Sequence, residues 1–200
     1  LEAIAGALAQ RGDLDNAIGQ ARLIVDQTVR NRTLTSIAGL EAYRGGERPA
    51  LWVADLINDP AARAIALREI SVSRARQGDF VTAYNIAQEI ANAEQRVIAL
   101  SQLAREQGRA GDQAGASESL QAAEADLGLV ENLRRADQLL GQLAVAYAYA
   151  GDPRQALEKV NSIDQAAQRD TYLGQVAMTL AQRGEYELAQ ESAMGIERDE

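Results

Sequence analysis

The chain of 200 residues has no cysteine and no histidine. Without cysteine there is no disulfide framework, no thiol nucleophile and no thiolate metal ligand. Without histidine the commonest general base and the commonest transition-metal ligand are both missing. Aromatics are scarce, at one Trp, one Phe and six Tyr. That argues against a β-sandwich or barrel, whose strands favour aromatic and β-branched side chains. Lysine occurs once, at Lys159, so the basic residues are otherwise Arg. No run reaches the ~18 apolar residues of a membrane span.

Positive charge is short overall, and the formal net charge is −9. Nucleic-acid binding needs a basic surface to neutralise phosphates, so it is not expected, and neither is an anionic membrane surface. No P-loop, dinucleotide fingerprint or metal-loop spacing occurs. Catalysis would fall to paired carboxylates, Tyr or Lys159. The expectation is therefore no enzyme, no cofactor and no metal site. No signal peptide is evident, and Leu1 is not an initiator Met. The chain is expected to be a piece of a longer one, soluble, with its compartment open between cytoplasm and export.

What is present is helix-forming. Hydrophobic residues make up 46% of the chain, mostly Ala, Leu and Ile, and Ala, Leu, Gln, Glu and Arg dominate it. All are strong helix formers, so an all-α chain is expected.

The chain also repeats itself. Gly12, Gly45, Gly78, Gly111, Gly151 and Gly184 are spaced by 33, 33, 33, 40 and 33 residues, each inside a motif such as "RGD", "QGD" or "AGD". Each copy can be numbered from the Leu eleven residues before its Gly. Position 1 is then Leu1, Leu34, Leu67, Leu100, Leu140 and Leu173. Position 4 is Ile4, Ile37, Ile70, Leu103, Leu143 and Val176. Position 5 is Ala or Ser, and position 17 is Ala in all six copies. Agreement at this level within one chain makes six repeats, about 1–33, 34–66, 67–99, 100–139, 140–172 and 173–200, in a single repeat domain.

Positions 1, 4, 5 and 8 share one helical face, which predicts an amphipathic first helix. The Gly ends it, because Gly reaches left-handed dihedrals without a Cβ penalty. Asp13, Asp79, Asp112 and Asp152 follow, suited to cap a second helix that buries positions 14, 17, 18, 21 and 24. Position 24 is Ile24, Ile57, Ile90, Val130, Ile163 and Ile196. Pro60 and Pro153 suit first helical positions. Each pair is too small to bury its own face, so neighbours must stack. The expectation is a right-handed α-solenoid of about six antiparallel helix pairs.

This pattern resembles the tetratricopeptide repeat. Leu140, Leu143, Ala144, Tyr147, Gly151 and Ala156 follow that motif, as do Leu173, Val176, Ala177, Leu180, Gly184, Tyr186 and Ala189. The chain departs from it in a 33-residue period, in Leu where the family has Trp, and in lacking the family's Pro near the repeat end. HEAT-type repeats are the second choice. The phrasing is also similar to Ala-rich tetratricopeptide-like arrays in bacteria. The resemblance implies a non-catalytic protein-interaction scaffold and no catalytic residue.

In such arrays the first helices line a concave groove, which here would carry positions 2, 6, 9 and 10. That places Arg68, Arg76, Arg105 and Arg109 together, flanked by Tyr43 and Tyr149. Arg binds carboxylates in bidentate fashion and Tyr gives a rigid contact. A groove for a protein or peptide with an acidic or C-terminal segment is one expectation. The other is a solvated face in which these Arg residues pair with Glu69 and Glu106. The small position 9 (Ala9, Ala42, Ala75, Gly108, Ala148, Ala181) either leaves room for a ligand or allows tight helix contact.

Four further features carry expectations. Position 8 turns polar at Glu41, Arg74 and Gln107, which reads as a ladder with Glu41 paired to Arg74, or else as a polar pocket. Arg30, Arg63, Arg96 and Arg169 recur near the start of the first helix, for a linker salt bridge or carbonyl hydrogen bonds. Seven extra residues in the fourth repeat predict a longer second helix. Trp52 is either an exposed contact or folded against its neighbour. Self-association as an architectural segment is the alternative role.

Overall fold

The computed structural model describes residues 1–195, so Ile196 lies outside the described residues. Among them the chain forms twelve α-helices and no strand. These are α1 (Glu2–Gln10), α2 (Leu14–Arg22), α3 (Gln27–Tyr43), α4 (Glu47–Asp55), α5 (Pro60–Arg76) and α6 (Phe80–Gln88), followed by α7 (Ala93–Ala110), α8 (Gln113–Leu127), α9 (Leu133–Ala150), α10 (Pro153–Asn161), α11 (Ala166–Gln182) and α12 (Tyr186–Met194). The repeat is asymmetric. From α3 on, the first helix of each pair has 17 or 18 residues. The second has nine, except α8 with 15. The insertion therefore lengthens the fourth repeat's second helix, as its two-turn size predicts.

The chain divides into two compact units, Leu1–Ala99 and Leu100–Glu200. In the first unit α1 contacts α2 and α3, α3 contacts α4 and α5, and α5 contacts α6. In the second, α9 contacts α8, α10 and α11, and α11 contacts α10 and α12.

The turns follow directly from the sequence. All six repeat glycines have positive φ, between +82° and +91°, and no other described residue type does. A side chain there would suffer the left-handed steric penalty. The following Asp caps the next helix in three copies. Asp79 accepts from the Thr82 N–H at 3.2 Å, Asp112 from Gly115 at 2.9 Å and Asp152 from Gln155 at 3.1 Å. Asp13 is different. Its carboxylate accepts from the Asn16 side-chain amide at 2.9 and 3.0 Å and makes no backbone cap.

The long helices are capped too. Asp26 accepts from Val29 N–H at 2.9 Å and Asp59 from Ala62 N–H at 2.7 Å. The recurrent arginines close the other side of this linker. Arg30 and Arg169 donate to the carbonyls of Ile24 and Ile163, at 3.0 and 3.3 Å, and Arg96 donates to that of Ile90. Arg63 instead bridges to Asp55 at 2.6 Å. Both expected forms, carbonyl bonds and a salt bridge, therefore occur.

The core sits between the long helices and under the short ones. Positions 1 and 4 are at most 3% exposed in α3, α5, α7 and α11. Positions 5 and 17 face each other within a pair, as the Ser71 hydroxyl shows by donating to the Ala83 carbonyl at 2.8 Å. The short-helix stripe differs from expectation. Val53, Ile86, Ser119 and Ser192 are buried at position 20, whereas position 18 is buried only at Ile18 and position 14 nowhere. A nine-residue helix gives two turns, and position 14, its first residue, lies at the exposed rim. Val130 is only half-buried, because the insertion ends there rather than under a neighbour.

Candidate functional site

Position 10 is the last or next-to-last residue of each first helix, so its side chains gather at the rim beside the Gly turn. In the second unit this brings Arg105, Arg109 and Tyr149 together. The Arg105 guanidinium lies 4.9 Å from the Tyr149 ring centroid and the Arg109 guanidinium 4.5 Å from it. Arg109 also bonds Glu106 at 2.8 Å. Arg105 keeps its Nε buried without a hydrogen-bond partner. The Arg109 guanidinium, hydrogen-bonded to the phenol, holds Tyr149 below the usual tyrosine range and is itself raised by that bond. The cluster presents two cations on one ring, with one carboxylate beside them.

In the first unit the groups are more separate. Arg68 pairs with Glu69 and donates to Gln95 Oε1 at 2.7 Å. Arg76 is exposed, and Tyr43 is 79% exposed at the end of α3. The expected pairings with Glu69 and Glu106 are thus present, and Tyr149 is joined to both Arg105 and Arg109.

Position 9 is helix contact. Ala9, Ala42, Ala75, Gly108 and Ala148 are buried, and a Cβ on Gly108 would stand 2.4 Å from the Tyr149 carbonyl oxygen. The polar ladder at position 8 is corrected. Glu41 pairs with Arg44 at 3.1 Å, and the buried Arg74 donates to the Ala42 carbonyl at 2.9 Å, leaving its Nε without a partner. Arg44 is one turn nearer to Glu41 on the same helix, so it takes the carboxylate. Gln107 is buried and accepts from the Ser119 hydroxyl at 2.8 Å, tying its helix to α8. Trp52 is 45% exposed on α4.

Position 11 carries a device that the sequence reading missed. Arg44 reaches back one repeat and donates to the carbonyls of Ala9 and Gln10. Gln77 donates to those of Ala42 and Tyr43 at 2.9 and 3.2 Å, and Arg183 to that of Tyr149 at 2.8 Å. A long donor at position 11 thus adds a second hydrogen bond to carbonyls at the end of the preceding long helix, where Ala9 and Ala42 already accept from the N–H groups of Gly12 and Gly45. The signal was present in the long polar residues Arg11, Arg44, Gln77 and Arg183 at a position that is Ala in the fourth and fifth copies.

Two clefts open between long helices of the first unit. One, about 330 Å³, is lined by Gly6, Ala9, Ile37 and Leu40 among others. The other, about 530 Å³, has a mixed wall in which Asn31, Thr35 and Asp59 stand beside Ala61, Ala62 and Ile65. In the second unit Lys159 Nζ lies 2.6 Å from Glu124 Oε1, which engages the chain's one lysine with the lengthened α8. Among the described residues no helix is long and apolar enough to cross a membrane.

No protein-family profile matches the chain, and neither does any curated protein sequence. Solved structures do. A Podosopora anserina protein of nearly identical TPR-like repeats, assigned as a kinesin light chain candidate, is 17% identical, with 86% of this chain and 95% of that one covered and a TM-score of 0.47. A single-substitution form of it gives the same values. Ton1535 from Thermococcus onnurineus NA1 is 15% identical, with 96% and 94% covered and a TM-score of 0.36. These likenesses carry no inference about what this chain binds. Its own helix order, Gly turns and Ala contacts are those of a repeated array of antiparallel helix pairs.

Proposed function

We propose that the chain is a non-catalytic protein-interaction scaffold, and that Arg105, Arg109 and Tyr149 seat a carboxylate of an acidic or C-terminal peptide segment. The observation carrying this reading is the unequal charge of the cluster. Two guanidinium groups share one tyrosine ring, and Glu106 balances only Arg109. The buried Arg105 Nε has no acceptor, and a partly desolvated cation gains most from an incoming anion. Tyr149 adds a flat contact surface at low entropic cost. Tyr43 and Arg76, at position 10, and Arg68, at position 2, are the first unit's residues in the same proposal.

The test uses a labelled acidic peptide with a free C-terminal carboxylate, followed by fluorescence polarisation. Charge reversal by Arg105→Glu and Arg109→Glu is expected to weaken binding about 100-fold, as loss of a charged pair at 2–3 kcal/mol implies. Arg76→Glu is expected to weaken it less. Unchanged affinity in the double variant would sink the reading.

A further inference from the structure

Position 31, three residues before the next repeat's Leu, is a core position. Ala64 and Val97 fill it at 3% and 0% exposure. Asp137 fills it in the fourth repeat, where the Asp164 and Gln165 N–H groups and the Gln165 amide satisfy its carboxylate. Asn31 is nearly as buried, at 8% exposure, yet among the described residues its carboxamide has no hydrogen-bond partner. A polar side chain at that depth normally finds one. Asn31 instead lines the cleft of about 530 Å³ between α3 and α5 in the first unit. Two of its neighbours in the wall are open as well. Thr33 and Ser36 return their hydroxyls to carbonyls one turn back, at 2.7 and 3.0 Å, but the half-buried Thr35 does not. Asp59 engages the Ala62 N–H through Oδ1, which leaves Oδ2 as an acceptor. Ala61, Ala62 and Ile65 add an apolar patch to the same wall.

We propose that this cleft binds an uncharged nucleoside, with the edge of the base on Asn31. The wall selects that chemistry in four ways. A carboxamide offers a donor beside an acceptor in one plane, so it pairs with a heterocycle edge that offers the reverse, as adenine does through its amine and a ring nitrogen. The apolar patch gives a flat base a surface to lie on, and the volume falls in the range of small-molecule sites. Asp59 Oδ2 and the Thr35 hydroxyl can accept from sugar hydroxyls, the pairing that a carboxylate makes with ribose. An anion is disfavoured, because Asp59 is negative and Arg32, the cation in the wall, already donates to both carboxylate oxygens of Glu2 at 2.9 and 2.8 Å. The cleft uses none of the residues proposed to seat the peptide carboxylate, so the two readings stand or fall separately.

The test is a titration of isotope-labelled chain with adenosine, read by the Asn31 side-chain and Ala62 backbone amide resonances. The expected Kd for a ligand of this size is about 0.1–1 mM. Asn31→Ala is expected to weaken binding about tenfold or more. Ala is what the next repeat carries at this position, as Ala64, so the variant keeps the fold, and circular dichroism checks its helix content. Purine riboside, which is adenosine without its amine, is expected to bind the parent about tenfold more weakly than adenosine does. Its affinity should change little in Asn31→Ala, since it cannot use the carboxamide fully. Adenosine monophosphate is expected to bind more weakly than adenosine. Asp59→Asn keeps a capping oxygen for the Ala62 N–H and should narrow that gap. No resonance shift at millimolar adenosine, an Asn31→Ala chain that binds adenosine as the parent does, purine riboside binding as tightly as adenosine, or the monophosphate binding more tightly would each overturn the proposal.

Discussion

Gly108 lies directly against the backbone of Tyr149. A Cβ at 108 would stand 2.4 Å from the Tyr149 carbonyl oxygen and 2.6 Å from its carbonyl carbon. Backbone cannot swing aside as a flexible side chain does. Gly108→Ala must therefore push the two helix ends apart, at a cost of about 1–3 kcal/mol. The same shift would carry Tyr149 away from Arg105 and Arg109. Urea unfolding should show the loss, and peptide binding should weaken with it. Gly174→Ala is the control. It meets nothing within 4 Å, and replacing a mid-helix Gly should stabilise by about 0.5–1 kcal/mol.

The position-11 donors give a second contrast. Arg44 holds the carbonyls of Ala9 and Gln10 and pairs with Glu41. Arg44→Ala returns those carbonyls to water and frees a carboxylate, and the residue is exposed, so the expected loss is about 1 kcal/mol. Arg11 occupies the same position on an exposed rim. Arg11→Ala should change the stability of the dilute chain by less than about 0.5 kcal/mol. Equal losses in the two variants, measured by urea titration, would show that the donors act locally rather than between repeats.

Most of the fold was legible in the sequence because its signals are local. A Gly at positive φ, an Asp or Asn at the cap and an Ala at the close contact each obey a rule within a few residues. The recurrent position-30 arginines were legible as linker devices for the same reason. Less legible was everything set by the distance between helices. Glu41 and Arg74 suggested an ion pair across repeats, yet Arg44 was the nearer cation. Nothing local marked Arg44 as the donor that reaches back to the Ala9 and Gln10 carbonyls, since that role depends on where the preceding helix ends. Gly108 read equally as ligand room or helix contact until the Tyr149 backbone was placed against it. For the candidate site, register alone brought Arg105, Arg109 and Tyr149 to one rim. The stacking of both cations on a single ring depends on side-chain direction, which spacing does not give.

Asp137 and Asp170 test how far repeat position fixes energetics. Asp137 is 6% exposed and accepts from the Asp164 and Gln165 N–H groups, at 3.4 and 3.3 Å, and from the Gln165 amide at 3.3 Å. Asp170 has the same place one repeat on, but its buried Oδ1 has no partner. Asp137→Asn would turn donors toward donors and should cost about 1–3 kcal/mol. Asp170→Asn replaces a buried carboxylate oxygen that has no donor and should be neutral or stabilising. Thermal melts of the two variants beside the parent would decide. A comparable loss in both would mean that Asp170 has a role its surroundings do not reveal.

Tyr147 should make stability fall in alkali. Its side chain sits at position 8 inside the second unit, 8% exposed. Burial pushes its phenol well above the ordinary value of 10.0, and the nearby carboxylate of Glu124 pushes it further the same way. The folded state therefore keeps the proton after the unfolded chain has lost it. The stabilising contribution is complete below the unfolded value near 10 and is lost as pH rises from there toward the folded value. In that window one such group lowers the unfolding free energy by about 1.4 kcal/mol per pH unit. Urea midpoints at pH 9 and pH 11 should differ by about that amount for Tyr147, with a smaller contribution of the same sign from Tyr172, which burial also raises. Tyr149 works against this slope, because Arg109 holds its phenol low. Tyr147→Phe keeps the ring in place and removes the main titrating group, so its stability should fall much less steeply across the same interval. A variant that declines in alkali as steeply as the parent would place the sensitivity elsewhere.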